Sequence, residues 1–188
     1  MNSTHKGQDM SLKTFRNAIQ LDNDNITLGG GEPTLHKLFW TFLGESLATG
    51  CESVWLATNG SQTNISLALA KMAQKGVIGC ALSQDPFHPP IDKRVVEAFK
   101  REPINRGIGY PADNDFREIR NTSNNLIKAG RCKTGKIGCI CEELFIKPDG
   151  TVKACGCVKS PSFGNVNTHV EIPKDWECGL CYKKQGNK

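Results

Sequence analysis

The stretch Ile26-Thr27-Leu28-Gly29-Gly30-Gly31-Glu32-Pro33 decides the predicted fold of this chain. Its first three residues form an apolar and β-branched run that is typical of a buried parallel strand. The three glycines that follow let the backbone approach a ligand with no side chain between. Glu32 adds a negative charge, and Pro33 fixes φ just before a helical pattern that begins near Leu35. The stretch therefore predicts a strand that ends in a turn suited to hold a small molecule.

Strands and helices alternate along the rest of the first two thirds of the chain. The predicted strands are 26–28, 53–58 and 77–82, and the predicted helices are 12–21, 35–50, 64–75, a segment from 92 and a segment over 116–127. This alternation is typical of an α/β protein with a parallel sheet, built either as a (β/α) barrel or as a doubly wound sheet. Right-handed crossovers then bring the ends of the strands to one rim.

Polar residues follow each predicted strand at this rim. Glu32 comes after the first strand, Asn59 after the second, and Ser83 and Asp85 after the third. One such residue more often satisfies the backbone of its own loop than binds a ligand. Three successive strand ends together with a glycine turn favour a ligand site at the rim.

Composition narrows the class of protein. The chain has 188 residues and a formal net charge of +5, with 38% hydrophobic residues. No apolar run approaches the ~20 residues of a membrane span, and residues 1–9 lack the apolar stretch of a secretory signal. We therefore expect a cytoplasmic protein with no membrane partner, and the modest charge does not indicate nucleic acid binding.

Cysteine is the compositional outlier, with nine residues in the chain. In a reducing compartment, clustered cysteines indicate metal binding rather than disulfides. A Pro-Asp-Gly turn within 143–154 predicts a β-hairpin, and two Cys-x-Cys pairs flank it. An iron-sulfur cluster or a tetrahedral zinc site suits such thiols, and the alternative is a set of buried cysteines without metal. The candidate metal ligands are Cys132, Cys139, Cys141, Cys155, Cys157, Cys178 and Cys181.

The segment Gly30-Gly31-Glu32-Pro33 at a strand end resembles the GGEP motif of the radical S-adenosylmethionine (SAM) enzymes. In that family the motif lines the site for the methionine end of SAM, whose amino group needs backbone and carboxylate acceptors. The family also has SAM-contacting polar residues after its next two strands. The resemblance therefore implies a SAM site formed by Gly29, Gly30, Gly31, Glu32, Pro33, Asn59, Ser83 and Asp85.

The C-terminal part resembles the auxiliary-cluster extensions called SPASM or twitch in the same family. The resemblance lies in the Pro-Asp-Gly hairpin that precedes Cys155 and in the loop Phe163-Gly164-Asn165-Val166. It implies a radical SAM barrel domain over 1–131 and a cysteine-rich extension over 132–188 that binds a further [4Fe-4S] cluster, with zinc as the alternative metal.

One family feature is missing from this sequence. Radical SAM enzymes hold their SAM-cleaving cluster with Cys-x-x-x-Cys-x-x-Cys after the first barrel strand, and here no cysteine precedes Cys51. We therefore expect a partial (β/α) TIM-like barrel that lacks its first strand and has an exposed sheet edge. This departure leaves open whether the chain is catalytic alone, and a partner chain that supplies the missing motif is one expectation.

Three functions follow from these patterns. The first is a radical SAM enzyme, or a fragment of one, that uses 5'-deoxyadenosyl-radical chemistry and modifies a peptide or protein. The second is a non-catalytic iron-sulfur or zinc-binding protein derived from that fold. The third is a SAM-independent α/β enzyme with a structural zinc site, which explains the cysteines but not the glycine turn.

Overall fold

A computed structural model of the chain describes residues 7–21, 24–84, 90–101, 114–121, 144–156 and 160–174. The chain divides into two compact units, one of Met1–Asp22 with Asn124–Lys188 and the other of Asn23–Ser123. Helix α1 (Leu12–Leu21) is therefore grouped with the C-terminal residues. The predicted boundary between 131 and 132 lies outside the described residues and stays a prediction.

The unit Asn23–Ser123 is built on a parallel four-stranded sheet. Its strands are β1 (Asn25–Leu28), β2 (Ser53–Thr58), β3 (Gly79–Gln84) and β4 (Arg117–Asn121), in the order β1-β2-β3-β4. The predicted α/β class and the three predicted strands are confirmed, with β3 starting two residues later than expected. Within the described residues the sheet is open and does not close into a barrel.

Helices follow the first three strands of this sheet. A 3₁₀ turn (Pro33–Leu35) and α2 (Phe39–Ala48) follow β1, α3 (Thr63–Gln74) follows β2, and α4 (Lys93–Phe99) follows β3. Because the strands are ordered consecutively, right-handed crossovers put these helices on one face of the sheet. No helix of the described residues is long and apolar enough to cross a membrane.

Along β1 and β2, one face of the sheet is better buried than the other. Alternate residues of β2 show this, since Val54, Leu56 and Thr58 are buried while Trp55 and Ala57 are half-buried. The core between the buried face and the helices contains Ile26, Leu28, Phe42, Leu43, Leu56, Leu69, Leu82, Val95 and Phe99. The opposite face of the sheet is therefore the more accessible one.

The start of α2 differs from the prediction near Leu35. After the 3₁₀ turn, His36 adopts extended backbone with ψ 127, and its Nδ1 accepts a hydrogen bond from the Leu38 N–H at 3.0 Å. This local bond ends the first turn, so α2 begins only at Phe39. The predicted end of this helix at Gly50 is close, because α2 ends at Ala48.

The prediction of a helix over 116–127 is wrong in its first half, because Arg117–Asn121 form the strand β4. Arg117 is buried, and its guanidinium binds the Asp115 carboxylate through two hydrogen bonds of 2.9 and 2.6 Å and the Ala98 carbonyl at 2.7 Å. A charged residue at a buried position conceals the two-residue alternation of a strand. The carboxylate pairs with the charge and the carbonyl accepts a hydrogen bond, which offsets the free energy lost when the guanidinium group leaves water.

The other unit contains an antiparallel four-stranded sheet. Its strands β5 (Phe145–Ile146), β6 (Thr151–Lys153), β7 (Ser162–Asn165) and β8 (His169–Val170) pair in chain order. The predicted Pro-Asp-Gly hairpin is confirmed, since β5 and β6 pair across that turn. Asn167 links this sheet to α1, because its side chain bonds Thr14 at 3.2 Å and Asn17 at 3.2 Å.

We expect Gly60→Ala to destabilise the parallel-sheet unit. Gly60 has φ +74, and a Cβ there would lie 2.8 Å from Cγ2 of Ile91 and 3.0 Å from Cδ1 of Leu82. The positive φ alone costs about 1 to 3 kcal/mol for a residue with a side chain. Denaturant unfolding measures the loss. Gly44→Ala in α2 is the control, because nothing lies within 4 Å of its added Cβ; equal stabilities for the two variants would contradict the expectation.

The acid stability of the β5–β6 hairpin should depend on Asp149. Hydrogen bonds from the Lys147 ammonium and from the Thr151 N–H lower the pKa of Asp149 to about 2. Because the pKa of Asp149 is lower in the folded state, its ionised carboxylate stabilises the hairpin at pH values above about 4, the ordinary pKa of aspartate. That stability is lost as the pH falls towards 2. A carboxyl titration by NMR checks this value, and a midpoint at the ordinary aspartate value would refute it.

Candidate binding site at the glycine turn

The carboxylate of Glu32 joins the ends of β1 and β2. Its Oε1 accepts hydrogen bonds from the Thr34 hydroxyl at 2.6 Å, from the Thr34 N–H at 3.2 Å and from the Thr58 hydroxyl at 2.9 Å. Its Oε2 accepts one bond from the Asn59 N–H at 2.6 Å. Four donors therefore hold this side chain in one orientation between the glycine turn and the end of β2.

The Thr58 hydroxyl is oriented by a second bond. Its oxygen accepts the Gly60 N–H at 3.1 Å, and the Thr58 side chain is only 1% exposed. A carboxylate has no proton to give, so the hydroxyl proton must point at Glu32. The turn after β2 thus fixes the direction of the hydrogen bond that holds Glu32.

The three glycines of the turn are exposed. Among the described residues, no atom lies within 4 Å of a Cβ added at Gly29, Gly30 or Gly31. Steric relief inside the protein therefore does not explain these glycines. Gly30 has φ +143, a conformation that residues with side chains rarely adopt. The turn leaves a stretch of bare backbone facing open space beside a fixed carboxylate, while Pro33 begins the 3₁₀ turn that leads away.

The other rim residues lie on neighbouring strand ends, with one exception. Asn59 follows β2 directly, and its Oδ1 accepts the Ser61 N–H at 2.9 Å, which fixes the side chain in the loop. Ser83 is half-buried near the end of β3, one residue beyond the Leu82 that pairs with Thr58. Asp85 lies outside the described residues. The structure therefore brings Glu32 and Asn59 into direct contact and puts Ser83 on the adjacent strand at the same end.

The lone pairs of Glu32 decide what this arrangement can bind. A carboxylate oxygen offers two acceptor sites. Oε1 is saturated by its three donors, whereas Oε2 has one donor among the residues that the structure describes and keeps one acceptor site. That site and the carbonyls of the exposed turn are acceptors around a negative charge. The chemistry suits a cationic hydrogen-bond donor such as a primary ammonium group.

Cys80 lies on β3 and is fully buried. Burial, and secondarily the negative charge of Glu32, raise the pKa of the Cys80 thiol to about 12. A buried thiol with such a pKa is neutral and unreactive at physiological pH.

Of the seven predicted metal ligands, only Cys155 lies among the residues that the structure describes. Cys155 is buried just after β6, and its N–H donates to the Ser160 hydroxyl at 2.9 Å. In the part of the chain that the structure describes, no group of three or more metal-ligating side chains is arranged around a common point. The six remaining predicted ligands lie outside the described residues: Cys132, Cys139, Cys141, Cys157, Cys178 and Cys181.

The structure also reveals a contact that the sequence analysis did not identify. The Trp55 ring lies across Gly79 of the neighbouring strand, where a side chain would collide with its Cδ1. The guanidinium carbon of Arg120, on β4, lies 4.3 Å from the centre of that ring. Two features of the sequence could have indicated this contact. Arg120 and the buried Arg117 lie on opposite faces of β4, and a tryptophan pairs with a glycine. Both can be recognised only once β4 is known to be a strand.

Comparison of the whole chain with models of known protein families, with curated proteins and with solved structures found no significant match.

Proposed function

We propose that this chain binds S-adenosylmethionine at the glycine turn and is a radical SAM protein, or part of one. The observation that carries the proposal is the Glu32 carboxylate, which is fixed beside exposed glycine backbone and keeps one acceptor site. The amino group of the methionine end of SAM is a cationic donor of the kind that this site suits.

The topology of the parallel sheet supports the same proposal. Four strands in consecutive order, with their helices on one face, are what we expect of an arc of a (β/α) barrel, whereas a doubly wound sheet reverses its strand order. In such an arc the functional residues lie after the carboxyl ends of the strands. Glu32, Asn59 and Ser83 all lie at that end.

Each residue has a proposed task at the SAM site. The carbonyls of Gly30 and Gly31 and the Oε2 of Glu32 accept hydrogen bonds from the ammonium group. The Asn59 amide and the Ser83 hydroxyl donate hydrogen bonds to the carboxylate or ribose of SAM. Asp85 accepts a hydrogen bond from a ribose hydroxyl. With a reduced cluster bound nearby, transfer of one electron would cleave SAM to methionine and a 5'-deoxyadenosyl radical, which would abstract a hydrogen atom from the substrate.

The cysteine-rich C-terminal part is proposed to hold an auxiliary [4Fe-4S] cluster, and the substrate is proposed to be a peptide or protein. Cys155 is the proposed ligand whose surroundings are described, and it lies at the open end of the β5–β6 hairpin. The absence of a Cys-x-x-x-Cys-x-x-Cys motif from the sequence favours a second candidate function, a non-catalytic iron-sulfur or zinc-binding protein of the same fold.

Glu32→Gln should weaken SAM binding by about 1 to 3 kcal/mol, because a charged acceptor is lost. The glutamine NH₂ must also face either the donors at Oε1 or the Asn59 N–H, so stability should fall too. Isothermal titration measures the affinity. The affinity for 5'-methylthioadenosine, which lacks the amino acid end, should not change.

Thr58→Val separates binding from stability in this experiment. It removes one donor to Glu32 and the acceptor of the buried Gly60 N–H but keeps the charge, so it should cost about 1 to 3 kcal/mol of stability and less SAM affinity than Glu32→Gln. Thr58→Ser should restore both. Equal losses of SAM affinity in Glu32→Gln and Thr58→Val would mean that Glu32 only supports the turn, and no loss in either would refute the SAM site.

Anaerobic reconstitution with iron and sulfide should give about four irons per chain, the content of one [4Fe-4S] cluster. We expect the electron paramagnetic resonance spectrum to be indifferent to SAM, because the SAM-cleaving motif is absent from this sequence. Cys155→Ser should reduce the iron content. Cys51→Ser is the matched control, since Cys51 lies in the other unit and outside the predicted ligand set.

The other outcomes of the reconstitution are equally informative. A SAM-responsive signal would mean that some of these cysteines hold an open-site cluster, which would overturn the proposed auxiliary role. Zinc without sulfide would favour the non-catalytic binding protein over the iron-sulfur protein.

A further inference from the structure

The less buried face of the parallel sheet carries a fixed guanidinium group. Arg120 lies on β4 with its guanidinium carbon 4.3 Å from the centre of the Trp55 ring, and its Nε donates to Oε2 of Glu118 at 2.9 Å. Stacking on an aromatic face and an ion pair hold the group in place from two directions.

Gly79 makes this arrangement geometrically possible. Trp55 pairs with Gly79 in the register of β2 and β3, and a Cβ on residue 79 would collide with the indole Cδ1. The ring can lie across β3 only because that position has no side chain. It thereby extends towards β4, where it meets the guanidinium group.

The terminal nitrogens of Arg120 are not used by these contacts. Glu118 takes the Nε–H, and among the described residues no other group accepts a hydrogen bond from the Arg120 side chain, which is 45% exposed. The end of a guanidinium group presents two N–H donors in a fork that matches the two oxygens of a carboxylate or phosphate.

We propose that Arg120, stacked on Trp55, binds an oxyanion, the carboxylate or phosphate group of a ligand that lies on this face of the sheet. The two contacts reduce the freedom that the side chain must lose on binding, which favours affinity. Glu118 neutralises much of the charge at long range, so the fork geometry and not general attraction of anions selects the ligand. The proposal does not depend on SAM binding.

An NMR titration of the full-length protein tests this site. The signals are the indole N–H of Trp55, identified by its loss in Trp55→Phe, and the Nε–H of Arg120. The probes are N-acetylglycine as the carboxylate, inorganic phosphate as the phosphate, and N-acetylglycinamide and sodium chloride as controls. We expect both signals to shift saturably with at least one oxyanion, and with neither control. The stronger of the two oxyanions identifies the group.

Substitutions at Arg120 make the test specific. Arg120→Gln should weaken the binding of the effective probe by about tenfold or more, and Arg120→Lys, which keeps the charge but not the fork, should also weaken it. Arg94→Gln is the matched control, because Arg94 is likewise paired with an acidic neighbour, Asp92, but is stacked on no aromatic ring that the structure describes. It should leave binding unchanged.

Two results would overturn the proposal. The first is an absence of saturable shifts with both oxyanions, which would leave Arg120 and Trp55 as a surface pair that stabilises the sheet. The second is equal binding of an oxyanion by wild type and by both Arg120→Gln and Arg120→Lys. Unchanged dispersion of the remaining amide signals in these variants confirms that they are folded.

Discussion

The hydrogen bonds of the Glu32 carboxylate are the interaction on which the candidate site depends. The three glycines of the turn have no side chains with which to hold it in place, and no described residue lies within 4 Å of a Cβ added to them. Its shape is set at its end, where two hydroxyls and two backbone N–H groups converge on one carboxylate. Thr34 and Thr58 are both buried, so water competes poorly for these bonds. The end of the glycine turn is thereby attached to the end of β2.

Much of the fold could be predicted because local sequence signals agree with the tertiary structure. The apolar runs at β1 and β2 lie within strands, and the Pro-Asp-Gly turn forms the hairpin that joins β5 and β6. The helices predicted to start near 12 and 92 begin beside capping side chains, since Ser11 accepts the Thr14 N–H at 3.1 Å and Asp92 accepts the Arg94 N–H at 2.9 Å. Residues whose partners lie within a few positions are the ones that the sequence reveals.

The features that escaped prediction depend on distant partners. Arg117 reads as a surface residue until Asp115 and the Ala98 carbonyl are known to surround it. The role of Thr58 depends on a residue 26 positions earlier in the chain. Trp55 and Arg120 lie on β2 and β4 and meet across β3, and the sequence around either residue does not indicate the contact. The chemical type of Glu32 was predictable, whereas the saturation of one of its oxygens was not.

The burial of Cys80 bears on how the proposed metal cluster would be assembled in a chain with nine cysteines. Iron and zinc bind the thiolate, and a thiol whose pKa is about 12 is almost entirely protonated in the cell. Cys80 therefore cannot compete for incoming iron while the parallel sheet is folded. Because the negative charge of Glu32 contributes to that pKa, the turn proposed to bind SAM also helps to keep the Cys80 thiol protonated. If the sheet folds before metal is delivered, the proposed cluster would not be built on this cysteine.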